Sequence, residues 1–412
     1  MKKPILAIII LGVLLSPAFT FAQEKSRIIK VIGTGKAEGM PVLTAWFTNE
    51  PSTDPLIIPT RVWGAVSVSE INRFMRIYFP RTYEKLLEYE FYFLAQVDLQ
   101  FFTAEQQRWI YDSLSEGERG GANTRSIIST HDWLHIPWRD SIVSDAFPND
   151  VTAVIEDEQN KEGEAGPLIV NDDEDVPNIM KSFKTQIESI FTSYGGLNTI
   201  PRPGSVILSY TKNNAGVGSP IPGRVAHVFY WKWNRSITFT LQDMVYNNFW
   251  SAPGSPTTNP YSLDIIANMI WFSTGREIPG DPFKVHDFRR DLYDYNIQKS
   301  LLVSLLDFAE IFGANPAREY RELDLVDDIR REASNYYLDR DFDLAYETLK
   351  EAIAELKELE DVATNLKNRA LFWVYVVEWS VTTGVLLAAG SILWTLMVKR
   401  ALYREVKVTR AA

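Results

Sequence analysis

Residues 370–398 form an apolar run broken by one charge, Glu378, and Lys399, Arg400, Arg404, Lys407 and Arg410 follow it closely. A helix needs about 20 apolar residues to cross the hydrocarbon core of a bilayer, so this run is long enough to span one. The basic residues beyond it predict a cytoplasmic C-terminus, with residues 399–412 as a tail too short to fold and everything before the span outside. Trp373, Tyr375 and Trp379 near one end and Trp394 near the other fit interfacial aromatic belts, and Glu378 lies close enough to the outer boundary to reach headgroups or water. Residues 1–22 carry two lysines, an apolar stretch over 5–15, and small residues at Thr20 and Ala22, where a signal peptidase reads. A secretion signal cut before Gln23 is the expectation, and with it a single-pass protein whose large N-terminal portion is exterior.

The formal net charge is −11 even with the basic tail and leader counted, so the exterior part is more acidic still. Nucleic-acid binding, which needs Lys and Arg to neutralise phosphates, is not expected. There is no cysteine. Thiol nucleophiles, zinc–thiolate sites and disulfides are thereby excluded, and stability rests on a hydrophobic core, for which the roughly 290 residues between leader and stalk suffice.

From Pro41 onward the pattern is α/β. Residues 41–47 (PVLTAWF) are expected as a first strand, after a linker over 23–40, and a Pro-rich loop over 49–59 leads to a helix with Ile71, Phe74, Met75 and Tyr78 on one face and Ser69 as its cap. Residues 90–97 form a second strand, Thr103 and Gln106 a capping box, and Ser126-Ile127-Ile128 a third strand, with Ser129, Thr130, His131 and Asp132 just past it. Further strands are expected over 151–157, 204–211 and 224–233, with helices over 177–191 and 261–276. Alternation of strand and helix predicts an α/β three-layer sandwich around a mostly parallel sheet, over residues 41–310.

The order of the phrases YEFYFLAQVDLQFFTAEQQRWIYDSLSEGERGG, PGRVAHVFYWKW and NPYSLDIIANMIWFSTGR is similar to class I glutamine amidotransferase-like domains, in particular to noncatalytic relatives with a ThuA-like pattern. That resemblance implies a flavodoxin-like sandwich over residues 41–276 and a nucleophile elbow, usually Gly-x-Cys-x-Gly, after the strand that ends near residue 130. Here the segment reads Ile-Ser-Thr-His-Asp: the cysteine and both glycines are missing, and neither His227 nor His286 begins a His-x-Glu pair. Glutamine hydrolysis through a thioester is therefore not expected.

Ser129, Thr130, His131, Asp132 and Trp133 remain the candidate cleft residues, since ligands of open α/β sheets bind outside the carboxyl ends of the strands. A hydroxyl nucleophile at Ser129 or Thr130 would need a positioned base, and His131, adjacent in sequence, points to the other face of a strand. The same residues serve equally to satisfy backbone groups at a strand-to-loop turn. The run His131-Asp132-Trp133-Leu134-His135 mimics a zinc-protease motif, but Asp is shorter than Glu and Pro137 obstructs the helix that would align both histidines, so no metal and no cofactor are expected. The acidic run over 171–175 lacks the glycine and terminal glutamate of an EF-hand, and helix capping explains it as well as calcium does. Alternation places Trp231 and Trp233 on one face of a strand and Tyr230 and Lys232 on the other, with one set in the core. Asn234-Arg235-Ser236 is a glycosylation sequon, expected in an exposed turn.

Residues 311–369 turn helical and charged, and YYLDRDFDLAYETLKEAI is similar to half of a tetratricopeptide-like hairpin, which predicts a helical-hairpin stalk. Ala345, Leu349, Ala352, Leu356, Leu359, Ala363 and Leu366 recur at 4-3 spacing, and the phase continues through Ala370, Trp373 and Val377 into the span. One helix of about 70 Å at 1.5 Å per residue is expected, packed outside the membrane on Ile329, Ala333 and Tyr336. Within the span Ser380, Gly384 and Ala388 allow close approach of a second copy, and a lipid-facing monomer helix fits the same residues. Three functions stay open: a membrane-anchored module binding a small ligand, glycan or partner protein of the cell envelope, an extracellular hydrolase using Ser129, Thr130 or His131, and a structural envelope component.

Overall fold

In a computed structural model the chain forms two compact units, residues 1–278 and 279–412. The residues described are 28–36, 40–61, 67–115, 126–130, 141–150, 167–188, 190–192, 200–212, 224–234, 236–242, 245, 249–251 and 259–409. The expected leader, the strand expected over 151–157 and candidates His131, Asp132 and Trp133 lie outside them.

The first unit is built on an eight-stranded sheet. Its strands are β1 (Ile29–Lys36), β2 (Thr53–Arg61), β3 (Phe91–Ala95), β4 (Ser126–Thr130), β5 (Leu168–Val170), β6 (Val206–Lys212), β7 (Arg224–Trp233) and β8 (Ser236–Leu241), in the order β2-β1-β3-β4-β8-β7-β6-β5. The first five positions are parallel throughout, and β8, β7, β6 and β5 continue antiparallel. With β8 as the fifth parallel strand, the parallel half has the 2-1-3-4-5 order of flavodoxin-like sheets. The longer helices among the unit's described residues cover the faces: α1 (Met40–Thr48), α2 (Val68–Tyr78), α3 (Ala104–Ser115) and α4 (Ser262–Ser273).

The two faces are packed differently. On one, Ile71 and Met75 of α2 and Ile110 and Leu114 of α3 close over Ile32, Ile58, Tyr92 and Leu94 of the sheet. On the other, Trp46 and Phe47 of α1 meet Phe93 edge-on at 6.1 and 5.8 Å, and Phe272 of α4 meets Tyr230 at 5.2 Å. Indole hydrogen bonds fix both helices there: Trp46 Nε1 donates to the Ser251 carbonyl at 2.9 Å and Trp271 Nε1 to Ser52 Oγ at 2.8 Å. Each buried aromatic of this kind contributes about 1.5–3 kcal/mol, and the Trp46 and Trp271 donors are both satisfied. The result is the expected three-layer sandwich.

Several boundaries differ from the expectations. Residues 41–47 are not the first strand but helix α1: Pro41 fits its first turn, and Val42, Leu43, Trp46 and Phe47 bury one face. The first strand is β1, inside the expected linker; flanked by β2 and β3 and covered on both faces, it is almost wholly buried and lacks alternation. The expected loop over 49–59 contains most of β2. The cap of α2 is Ser67 rather than Ser69, because Ser67 and Glu70 close a full capping box, with Ser67 N to Glu70 Oε2 at 2.9 Å. Those hydrogen bonds from Ser67 hold the Glu70 carboxyl below its ordinary range. Tyr78 lies exposed. The helix expected over 177–191 is reduced to a 3-10 turn and one α turn, Lys184–Ile187. β8, the second arm of a hairpin whose turn carries exposed Asn234 with φ 52°, is an element the sequence reading passed over.

The second unit is a three-helix bundle rather than a hairpin: α5 (Pro282–Ile311), α6 (Ala317–Leu338) and α7 (Phe342–Thr409). It therefore begins before residue 311. Its core joins Tyr295, Leu302 and Leu306 of α5, Leu323 and Val326 of α6, and Ala352, Leu356, Leu359 and Ala363 of α7. The 4-3 seam on α7 is thus buried from Ala345 to Ala363 and again at Ala370, with Leu366 half-buried between, against two helices instead of one. Tyr337, not Tyr336, fills the α6 position: it stacks on Phe288 at 4.8 Å, while the Tyr336 hydroxyl turns out to Glu332. Asp291, almost wholly buried on α5, receives Lys350 of α7 at 2.6 Å, and Tyr295 Oη donates to Asp327 of α6 at 2.9 Å. Burial and the Asp327 carboxylate raise the Tyr295 phenol far above its usual range. From Phe372 to Tyr403 the large apolar side chains of α7 are exposed, and α7 is the helix among the described residues long and apolar enough to cross a membrane.

Candidate functional site

Five parallel strands place five carboxyl ends along one edge of the sheet. The chain runs from β1 outward to β2 and then back across to β3, so the topological switch point lies between β1 and β3, the position at which open α/β sheets commonly bind ligands. The residues there follow from the register. Gly35 is opposite Ala95, Ala95 opposite Thr130, and Thr130 opposite Leu241, which brings the ends of β1, β3, β4 and β8 level. Next along each strand come Lys36 on β1, Gln96 after β3 and Gln242 after β8.

Three features mark this edge. Gly35 has φ 156° and its α-carbon is so close to β3 that an added Cβ would meet the Ala95 carbonyl oxygen at 1.8 Å. The β1–β2 register slips at the same level, from Gly35 opposite Pro59 to Lys36 opposite Arg61, so Thr60 is the bulged residue. Gln96 has φ 55°, in the left-handed region that costs a non-glycine residue about 1–2 kcal/mol. Strain of this kind persists where surroundings hold it, and it gathers at ligand and catalytic sites.

Burial adds polarity to strain. Thr34, Lys36, Thr60, Gln96 and Gln242 are all buried. Among the described residues Thr34 Oγ1, Thr60 Oγ1 and Gln96 Nε2 meet no hydrogen-bonding partner. An unsatisfied buried donor or acceptor costs about 1–3 kcal/mol, so three of them at the carboxyl ends of three adjacent strands form a polar patch that an apolar core would not retain.

Of the residues singled out in the sequence, Ser129 and Thr130 lie on β4, Ser129 between Leu94 and Thr240 and Thr130 between Ala95 and Leu241, one strand from the switch point. The candidates His131, Asp132 and Trp133 lie outside the described residues. The resemblance puts the elbow after β4; the left-handed backbone at this edge, among the described residues, belongs to Gln96 after β3. An amide side chain is no nucleophile, but it both donates and accepts hydrogen bonds. Thr34, Thr60 and Gln96 escaped sequence reading. The legible signal was Gly33-Thr34-Gly35-Lys36 ahead of a helix, obscured by taking residues 41–47 as the strand.

The other candidates have structural roles or surface positions. His227, wholly buried on β7 with its ring edge-on to Phe249 at 6.0 Å, is kept neutral because burial lowers its pKa to about 3. Trp231 Nε1 donates to the Ala146 carbonyl at 3.0 Å, Trp233 packs on Tyr111 at 5.2 Å, and Tyr230 packs on Phe239, so aromatics of both β7 faces are engaged. In the acidic loop Asp172 pairs with Lys184, which holds its carboxyl below the usual range, and Asn171 Nδ2 donates to the Ile207 carbonyl at 2.9 Å. Among the described residues no group of three His, Asp or Glu side chains is placed to hold a metal ion. Ser236 of the sequon is buried and donates to the Leu114 carbonyl at 2.7 Å. Ser380, Gly384 and Ala388 lie exposed on α7, the Ser380 hydroxyl bonded back to the Val376 carbonyl at 2.7 Å.

No family model matches the sequence, and no curated protein matches it significantly. Two solved structures are similar. The cytoplasmic protein STM1381 from Salmonella typhimurium LT2 matches 60% of this chain over 100% of its own, at 12% identity and a TM-score of 0.43. A ThuA-like protein from Parabacteroides merdae ATCC 43184 matches 62% of this chain over 94% of its own, at 13% identity and a TM-score of 0.36.

Proposed function

We propose that this chain is a single-pass membrane protein whose ThuA-like α/β unit, held outside the membrane, binds a small ligand, glycan or partner protein of the cell envelope at the β1/β3 crevice. It does so without glutaminase activity. The observation that carries this reading is Gln96: a buried amide whose Nε2 meets no partner among the described residues, held in a strained left-handed conformation at the switch point. With no cysteine anywhere in the chain, glutaminase chemistry has no thiol to start from. Thr34, Thr60 and Lys36 add further buried polar groups at the ends of β1 and β2, and Ser129 and Thr130 end β4, the strand beside β3. The anchor is the apolar stretch of α7. Within the bilayer Ser380, Gly384 and Ala388 would let a second copy of α7 approach closely, making the molecule a homodimer through its span and stalk.

The test is a thermal-shift screen of the full chain in detergent against sugars, glycan fragments and peptides of envelope type, because anything that binds only the native state raises the midpoint. The expected result is at least one ligand that shifts the midpoint and is recovered unchanged, with no ammonia released from glutamine. Turnover of a hit, lost in Ser129→Ala, would replace this reading by the hydrolase one. A screen with no hit would favour a purely structural unit.

A further inference from the structure

The bundle ends in a feature its own packing does not use. At the hairpin between α5 and α6, Ile311 is 78% exposed, and Phe308 and Phe312 stand outside the core with their rings 4.7 Å apart. Leu301 extends the same apolar strip up α5. The turn is rigidly made. Gly313, at φ 85°, closes a Schellman motif in which its N–H reaches the Glu310 carbonyl at 2.9 Å and the Ala314 N–H reaches Ala309 at 3.0 Å. Asn315 Oδ1 then accepts from Ala317 N at 3.2 Å to start α6. A strip of this kind on a water-facing tip of a bundle is costly, and its position along α7 shows what covers it.

Two ion pairs set the level of α5 against α7. Lys284 pairs with Asp343 and Asp291 with Lys350, each 59 residues apart (343 − 284 and 350 − 291), so the two helices run parallel with a fixed offset. Carried to the end of α5, that offset puts Ile311 level with Ala370. Burial on α7 agrees: Ala370 is 7% exposed, whereas Phe372 is 61% exposed and the apolar span continues from there. The tip therefore lies where α7 leaves the bundle and becomes apolar on every side. Two of the charges near by are engaged: Arg318 pairs with Glu322 at 2.8 Å, and Asp307 accepts from the Tyr320 hydroxyl, whose pKa is raised to about 12 by that bond.

We infer that the α5–α6 tip is an interfacial membrane contact: Phe308, Ile311 and Phe312 insert among the lipid headgroups and upper acyl chains of the bilayer that α7 spans. Aromatic and aliphatic side chains at that depth gain burial while the polar backbone stays hydrated. The consequence is mechanical. With α7 through the membrane and the tip resting on it, the bundle has two points of contact and stands at a fixed angle instead of pivoting on one helix. This inference rests on α7 being a membrane span.

The absence of cysteine allows a clean test. Ile311→Cys, Phe372→Cys and Ser300→Cys, each in the full chain, are labelled with a polarity-sensitive fluorophore and reconstituted into phosphatidylcholine vesicles containing a lipid spin-labelled near the headgroup end of its acyl chain. Ser300 is exposed on α5, about 16 Å from Ile311 along the helix axis. Labels at Ile311 and Phe372 are expected to lose fluorescence to a comparable degree, and the label at Ser300 to keep it. Quenching at Phe372 with Ile311 behaving like Ser300 would overturn the inference and leave the span intact. No quenching at Phe372 would remove the span, and the inference with it.

Discussion

Gly35→Ala is expected to destabilise the α/β unit by more than about 3 kcal/mol, enough to remove most of a domain's ordinary margin. The new methyl group would stand 1.8 Å from the Ala95 carbonyl oxygen, a backbone atom of a central strand that cannot turn aside. Relief requires β1 and β3 to separate at the level of Gly35 and Ala95, at the switch point. Gly33→Ala is the control, since its Cβ would meet Ile57 Cδ1 at 2.6 Å, the far end of a side chain that can change rotamer. Its expected cost is about 1 kcal/mol. Urea unfolding of both variants separates the two, and equal costs would mean that β1 and β3 are not in this register.

Acid sensitivity should trace to His227. Unfolded, its imidazole takes up a proton below about pH 6.5; folded, it stays neutral until about pH 3, because its site is fully buried. The unfolded state therefore binds more protons between these values, and stability falls as pH falls through the window. It is fully recovered above pH 6.5. One proton corresponds to about 1.4 kcal/mol per pH unit. Between pH 6.5 and 5, where carboxylates contribute least, hydrogen exchange of the β7 and β8 amides should speed accordingly. His227→Gln should flatten that slope whatever it does to stability at neutral pH. An unchanged slope would show that His227 is protonated in the folded protein.

How much of this was legible in the sequence depended on whether a segment carried a spacing that only one kind of element produces. The α7 seam, Ala345 to Ala363, was plain because its 4-3 spacing faces a single core. The stretches now known as β3 and β7, though largely buried, were plain from their runs of aromatic and β-branched residues, and Thr103 and Gln106 marked the start of α3. By contrast β1 is buried on both faces and offers no alternation, while α1 presents Val42, Leu43, Trp46 and Phe47 in a short apolar cluster that helix and strand share. Helix α5 carries a regular stripe through Val285, Phe288, Leu292, Tyr295, Leu302 and Leu306, but exposed Ile297, Leu301, Phe308 and Ile311 on its other side blur it. At the site, the edge near Ser129 and Thr130 could be inferred from a strand followed by polar residues. Gln96 could not, because what distinguishes it is a backbone angle and the burial of an amide, and neither is written in the tripeptide Ala-Gln-Val.

The measurement closest to the central claim is the affinity of a ligand found by thermal shift for the wild-type chain and for Gln96→Gly. Glycine adopts φ 55° without strain, so the variant relieves about 1–2 kcal/mol of backbone cost, offset in part by the extra freedom of glycine in the unfolded chain. Its melting temperature should be unchanged or slightly raised. If Gln96 holds the ligand in the β1/β3 crevice, affinity should fall at least about tenfold, the equivalent of one hydrogen bond worth 1.4 kcal/mol. A variant equally stable that binds with wild-type affinity would contradict the assignment of the site to the switch point.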